Sequence, residues 1–304
     1  MVTRRPLPRV HALVACAGLL AACSAQYAET AAMAGTGGGG TSSGGAGAGG
    51  VTPGGSSGTG GTTEPCAEVT TVPEAVRTRL MLDPFYEKHV DARGIPILAS
   101  SAPADESLLI ACRLLENMLS RRDDIRQELI RNGARFAVIG RNEDTSDIPE
   151  YGYRDRPQAE IDELNRETRG LAGIAPACGE ENLLCLAGDR YVRESICVHN
   201  FSHTITTYGA YTVEPGFEEA LTSAYDGAFA SGILDDTFRA SNAQEYWAEG
   251  VQDWYDTNDW AAQPNGIHNE VNTRAELAEY DPALYALIAE IFPEDTAWGD
   301  CKLE

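Results

Sequence analysis

His199-Asn200-Phe201-Ser202-His203 is the stretch on which the reading of this chain turns. On a helix, residues i and i+4 lie one above the other on the same face, so the imidazoles of His199 and His203 can converge on one tetrahedral metal ion. Zinc suits such a pair, because imidazole nitrogen is among its preferred ligands. Two histidines four apart also occur on helices that bind nothing, so the pair needs a third ligand from elsewhere in the chain.

That ligand is expected in Asn242-Ala243-Gln244-Glu245-Tyr246-Trp247-Ala248-Glu249-Gly250-Val251-Gln252-Asp253-Trp254. Tyr246, Ala248, Val251 and Trp254 supply the apolar surface of a helix, and Glu245 and Glu249, four apart, share one of its faces. One carboxylate can complete a zinc site, and another can fix the ring of a ligating histidine through the nitrogen turned away from the metal. In a chain with 46 acidic and 23 basic residues, the competing reading is a solvated acidic stripe.

The segments Cys197 to Gly209 (CVHNFSHTITTYG) and Phe238 to Asp253 (FRASNAQEYWAEGVQD) resemble the catalytic domain of anthrax lethal factor and its bacterial relatives. These are gluzincin-type zinc metallopeptidases with an H-E-F-x-H helix and a later N-x-x-E-[FY]-[FW]-A-E helix. The resemblance implies a zincin-like α+β fold, with a small mixed sheet and a metal-binding helix. It implies His199, His203 and Glu245 as ligands to Zn2+, and Glu249 as the carboxylate that orients a ligating histidine. It also implies two catalytic positions, and both carry the wrong side chain. The general-base glutamate of H-E-x-x-H is replaced by Asn200, which cannot accept a proton from water. The tyrosine seven residues before the third ligand, a donor to the oxyanion, is replaced by Phe238. Losing a general base is worth about 10²- to 10⁴-fold and losing one oxyanion donor about 10²- to 10³-fold. Metal binding needs neither group. The resemblance therefore implies a zinc-binding pseudopeptidase that acts in binding or scaffolding, with an extended peptide or protein as ligand. Two other readings stand beside it: a weakly active zinc endopeptidase, and a metal-free structural lipoprotein. Tyr208 and Tyr211 offer substitutes for the missing hydroxyl, and His268 sits in a turn-rich segment outside the ligand set.

At the amino terminus, Arg4, Arg5 and Arg9 precede an apolar run from Leu13 to Ala22. This order reads as an export signal over residues 1–22. Leu20-Ala21-Ala22-Cys23 resembles the lipobox of bacterial lipoproteins, which implies lipidation of Cys23 and contact with the membrane only through that anchor. Ser24 is not the aspartate that commonly retains lipoproteins in the inner membrane, so the expected address is the outer membrane of a bacterial envelope. Residues 23–64 are dominated by Gly, Ser, Thr and Ala and cannot bury enough apolar surface to offset ordering entropy, so they read as a flexible linker. Residues 65–304 then form the globular domain. A net charge of −23 argues against nucleic acid as a partner. Oligomeric state leaves no mark on the sequence.

Six cysteines belong to the globular part, an even number that suggests disulfides in an exported domain. The expected pairs are Cys66 with Cys301, Cys178 with Cys185, and Cys112 with Cys197. Cys197 lies about 200° around the helix from His199, so it pins the back of the metal helix rather than ligating.

Upstream, Ile95 to Ser100 reads as a strand, Asp105 to Ser120 as a helix with Leu108, Leu109, Cys112, Leu115 and Leu119 inward, and Asp123 to Asn132 as a second helix closed by Gly133. Ala134 to Gly140 reads as a central strand. Thr145 to Tyr151 is a candidate edge strand at the rim of a cleft, with a surface loop as the alternative. Helices over Phe217 to Ala230 and Glu245 to Trp254 complete the expected framework.

Overall fold

In the computed structural model, which describes residues 64–294, the sheet begins with Thr70–Thr71 (β1), Lys88–Ala92 (β2) and Ile95–Ala99 (β3), each antiparallel to the one before. The β2–β3 hairpin turns on Arg93 and Gly94, at φ 45° and 100°, the double left-handed conformation that matches strand twist in a two-residue turn. A Cβ on Gly94 would stand 2.7 Å from Ile130 Cδ1, so this position needs glycine for space as well as for backbone freedom. Phe136–Ile139 (β4) and Ala177–Gly179 (β5) add in parallel to β3, giving a mixed five-stranded sheet in sequential order. Pro96 has no N–H to donate, and the parallel ladder starts one residue later, where Ile97 pairs with Phe136.

Parallel neighbours need crossovers, and helices supply them. Glu74–Leu80 (α1) precedes β2, Asp105–Met118 (α2) and Asp123–Arg131 (α3) connect β3 to β4, and Gln158–Glu167 (α4) lies between β4 and β5. Helix α2 buries Leu108, Ala111, Cys112, Leu115 and Met118, the face that its apolar spacing defines. Gly133, at φ 75°, follows the end of α3. Because strand side chains alternate, Ile97, Ala99, Phe136, Val138 and Cys178 enter the main core, whereas Leu98, Ala137, Ile139 and Ala177 enter a smaller one with Tyr86, Ile148 and Leu164.

Ile196–Ile205 (α5) continues through a π-helical stretch, Thr206–Ala210, into a last turn at Tyr211–Val213. Gly209 lets this extension close on α3, since a Cβ there would meet Ile125 Cγ2 at 2.7 Å. Phe217–Ser231 (α6), Ala243–Trp254 (α7), Arg274–Tyr280 (α8) and Pro282–Ile291 (α9) complete the second half. Every residue from Glu245 to Trp254 is buried. The acidic residues of α7 are therefore interior groups, and the solvated-stripe reading fails. Among the described residues no helix is long and apolar enough to cross a membrane.

The molecule is α+β with a small mixed sheet, as expected, but the expected disulfides and the expected edge strand change. Cys66 pairs with Cys112, and Cys178 with Cys197. All three expected pairings are thereby overturned, although Cys197 does pin its helix, to β5. Cys185 is also disulfide-bonded, while Cys301 lies outside the described residues. The reason is β5 itself: three residues are too few to show alternation, and once β5 is the sheet edge Cys178 faces the core where Cys197 lies. Thr145–Asp147 and Pro149–Tyr151 form two 3₁₀ turns rather than an edge strand. The expected signal, Cys23 and the linker up to residue 63 also lie outside the described residues.

Candidate metal centre

Helix α5 starts at a firm cap. The Ser195 hydroxyl accepts from the Val198 N–H at 3.3 Å, and the Ser195 N–H donates to Thr257 O at 2.8 Å. From this start the helix divides its faces. Cys197, Asn200 and Thr204 meet the sheet edge and its approach through the disulfide to Cys178 and hydrogen bonds to Ala177 O and Gly173 O. His199 and His203 turn toward α7.

The opposing helix is also capped by its own sequence. Asn242 Oδ1 accepts from the N–H groups of Gln244 and Glu245 at 2.9 and 3.0 Å. The asparagine of N-x-x-E is thus the N-cap, and it places Glu245 in the first turn, where the helix dipole favours a carboxylate.

His199 Nε2 stands 3.0 Å from Glu245 Oε2 and 3.2 Å from His203 Nε2, and His203 Nε2 stands 3.5 Å from Glu245 Oε2. Ligands at about 2.0–2.1 Å from a tetrahedral zinc are separated by roughly 3.3 Å, a value that these three distances bracket. All three residues are buried, at 6, 2 and 4 % exposure. Two imidazole nitrogens and a carboxylate oxygen converge on one point, where a proton can bridge only one pair and a cation would satisfy all three. His199, His203 and Glu245 could therefore hold a metal ion.

The electrostatics match a site built for positive charge. Burial pushes the His199 pKa down, but hydrogen bonds to Glu245 and Glu249 outweigh it and hold the imidazolium well above its ordinary range. Burial pushes Glu245 up, yet the charge of His203 and hydrogen bonds from both histidines hold its carboxyl far below the usual range. A metal ion entering the site must displace the His199 proton. Metal affinity is therefore expected to rise with pH through neutrality, and calorimetry in buffers of different ionisation enthalpy should register proton release. An affinity that stayed flat between about pH 6 and 8 would contradict this.

Glu249 Oε1 lies 3.4 Å from His199 Nδ1, on the side away from the ligand point. The closer partner is Gln252, whose Oε1 is 2.8 Å from the same nitrogen. Gln252 is fully buried and its amide donates to Ser195 O at 3.3 Å and to Glu194 Oε2 at 3.4 Å, so it ties the His199 ring to the start of α5. Sequence reading missed Gln252, although its place seven residues after Glu245 on the same helix face was the available signal. Behind it, Asn258 Nδ2 donates to Glu249 Oε2 at 3.2 Å and to Asp253 Oδ1 at 2.9 Å, and Arg239 Nη2 donates to Asp253 Oδ1 at 2.9 Å. Burial pushes Asp253 up to about 7 despite Arg239, and burial together with the charge of Glu249 pushes Glu194 up to about 7.

Of the two expected catalytic positions, Phe238 lies beside the site and Asn200 is turned to the sheet edge. The Phe238 ring is 6.5 Å from the His199 ring, centroid to centroid, and presents no hydroxyl. The Tyr211 hydroxyl accepts from the Gln244 side chain. His268 is not in the ligand group; its charge is among those that hold Glu249 low against burial, after the hydrogen bond and charge of His199. Asn200, 5 % exposed, donates its amide to Ala177 O at 2.8 Å. The Ala177 N–H, which faces away from β4, donates to Leu171 O at 3.1 Å. At Ala177 the outer edge of β5 is therefore closed by the chain itself.

No protein-family model, curated protein or solved structure matches the chain.

Proposed function

We propose that this chain is a zinc-binding, metallopeptidase-like lipoprotein with a zincin-type fold, tethered through Cys23 to the outer membrane. In this reading the centre holds zinc without cutting peptides, and the protein acts in binding or scaffolding. The observation that carries it is the hydrogen bond from Asn200 to Ala177 O. The side chain at the general-base position is a donor committed to structure, and it has no basic atom to offer. Phe238, beside His199, likewise cannot donate to an oxyanion.

Zinc held by His199, His203 and Glu245 would supply a Lewis acid at the centre. Gln252 and Glu249 hold the His199 ring at that centre. With the Ala177 backbone groups used internally, a peptide cannot pair with β5 at that position.

The test is hydrolysis of an unstructured protein such as casein by the full chain loaded with zinc. Native protein is expected to show no cleavage above the His203→Ala variant, whereas Asn200→Glu combined with Phe238→Tyr is expected to gain cleavage that a chelator abolishes. Chelator-sensitive cleavage by the native chain, absent from His203→Ala, would overturn the pseudopeptidase reading.

A further inference from the structure

The carboxyl ends of parallel strands are where ligands bind in open sheets of this kind. Beyond the ends of β4 and β5 lies a cavity of about 290 Å³, bordered by Arg141, Glu143, Asn165, Arg169, Glu181 and Arg190. This volume is at the small end of the range for sites that take small molecules.

Its acidic and neutral groups are all hydrogen-bonded within the protein, and Glu181 is also paired with a cation. Glu181 takes Arg169 in a two-pronged pair, Nε to Oε1 at 2.6 Å and Nη2 to Oε2 at 3.0 Å. The remaining Arg169 donors go to Glu143 O and Gly140 O at 2.7 and 2.9 Å. The Glu143 carboxylate accepts from Gly140 N at 2.8 Å and from Ser100 Oγ at 2.5 Å. Asp144, also on the wall, closes a capping box with Asp147. The Asn165 side chain accepts from Ser146 N and donates to Ser146 Oγ, at 3.0 and 2.9 Å.

Arg141 and Arg190 are different. Arg141 reaches only Ala187 O, at 3.5 Å, and Arg190 donates to Arg166 O and Asn165 O at 2.9 and 3.2 Å. Neither has a carboxylate partner among the described residues, although the chain carries twice as many acidic as basic side chains. Both arginines are exposed, and the backbone carbonyls that they touch leave the guanidinium charge unneutralised. The cavity therefore offers two guanidinium forks that have no carboxylate partner among the described residues, beside carboxylates bonded to Arg169, in the case of Glu181, or to neutral donors, in the case of Glu143 and Asp144.

We infer that this cavity binds a small ligand through an oxyanion group, phosphate or carboxylate, held between Arg141 and Arg190. The planar guanidinium fork matches both groups in a two-pronged geometry. In so acidic a chain, general attraction works against anions, so binding requires a local site.

The test is calorimetric titration of the full chain with inorganic phosphate and, separately, with citrate, at an ionic strength of about 0.15 M to screen diffuse charge. Saturable binding of at least one probe is expected, weakened about tenfold or more in Arg141→Ala/Arg190→Ala and unchanged in Arg79→Ala, an exposed arginine elsewhere. The stronger probe identifies the oxyanion. Matching thermal unfolding of native and double variant would show that the fold is intact. No saturable binding of either probe, or binding undiminished in the double variant, would overturn the inference.

Discussion

The His203→Ala variant is expected to lose zinc affinity by more than a hundredfold. His203 supplies one of three converging ligand atoms, with its Nε2 3.2 Å from that of His199 and 3.5 Å from Glu245 Oε2. Two ligands cannot enclose a zinc ion in a buried site, and Glu245, 4 % exposed, would keep only His199 as a charged neighbour at the ligand point. Gln252→Ala supplies the graded comparison. It leaves all three ligands but removes the closer of the two partners of His199 Nδ1, and removing such an orienting neighbour typically costs about 10- to 100-fold in affinity. Competition against a chromogenic chelator would give the order native, Gln252→Ala, His203→Ala. Equal affinities for native and His203→Ala would show that His203 is a buried histidine and nothing more.

The second large effect concerns Asn200→Glu, which is expected to lower the stability of the metal-free protein by about 2–4 kcal/mol. The amide that donates to Ala177 O is replaced by a carboxylate with no proton to give, in a place 5 % exposed. For domains of about 150–250 residues each kcal/mol moves the melting temperature by roughly 2–4 °C, so a drop of about 5–15 °C is expected. Asn200→Asp separates hydrogen bonding from size. Only the protonated acid can donate to Ala177 O, so the folded-state pKa is raised above the ordinary value of about 3.9. The folded state then binds more protons than the unfolded state between those two values. Stability must fall as pH rises through that window. The Asp variant should therefore lie close to native near pH 4 and well below it at pH 7, measured by thermal unfolding in chelator. An Asp variant as stable as native at neutral pH would contradict the structural role given to Asn200.

Gly170 also packs against the carbonyl that Asn200 bonds, since a Cβ at Gly170 would stand only 2.0 Å from Ala177 O. A glutamate at 200 therefore meets a crowded carbonyl to which it has no proton to donate.

The candidate group was readable in part because four residues place His199 and His203 on one helix face, whereas the choice of Glu245 over Glu249 rested on the resemblance of the motif that contains them. What spacing could not decide was burial. The carboxylates of α7 read equally well as surface until α5, α6, α8 and α9 are packed around that helix. Helices α8 and α9 themselves carry strong start signals, a capping box from Thr273 to Glu276 and Asp281 followed by Pro282, which sequence reading passed over. The disulfides were misread for a different reason. Cys178 sits in a strand of three residues whose existence depends on its neighbour β4, so no local pattern announces which way its side chain faces. Gln252 was missed because glutamine has no metal chemistry of its own, and its importance appears only when its partner nitrogen is located.

The most direct measurement is the zinc content of the full chain, purified without added metal chelator and analysed by inductively coupled plasma mass spectrometry. The account predicts close to one zinc per chain in the native protein and a large loss in His203→Ala. A native protein that contains no zinc, and takes up none on addition, would contradict it.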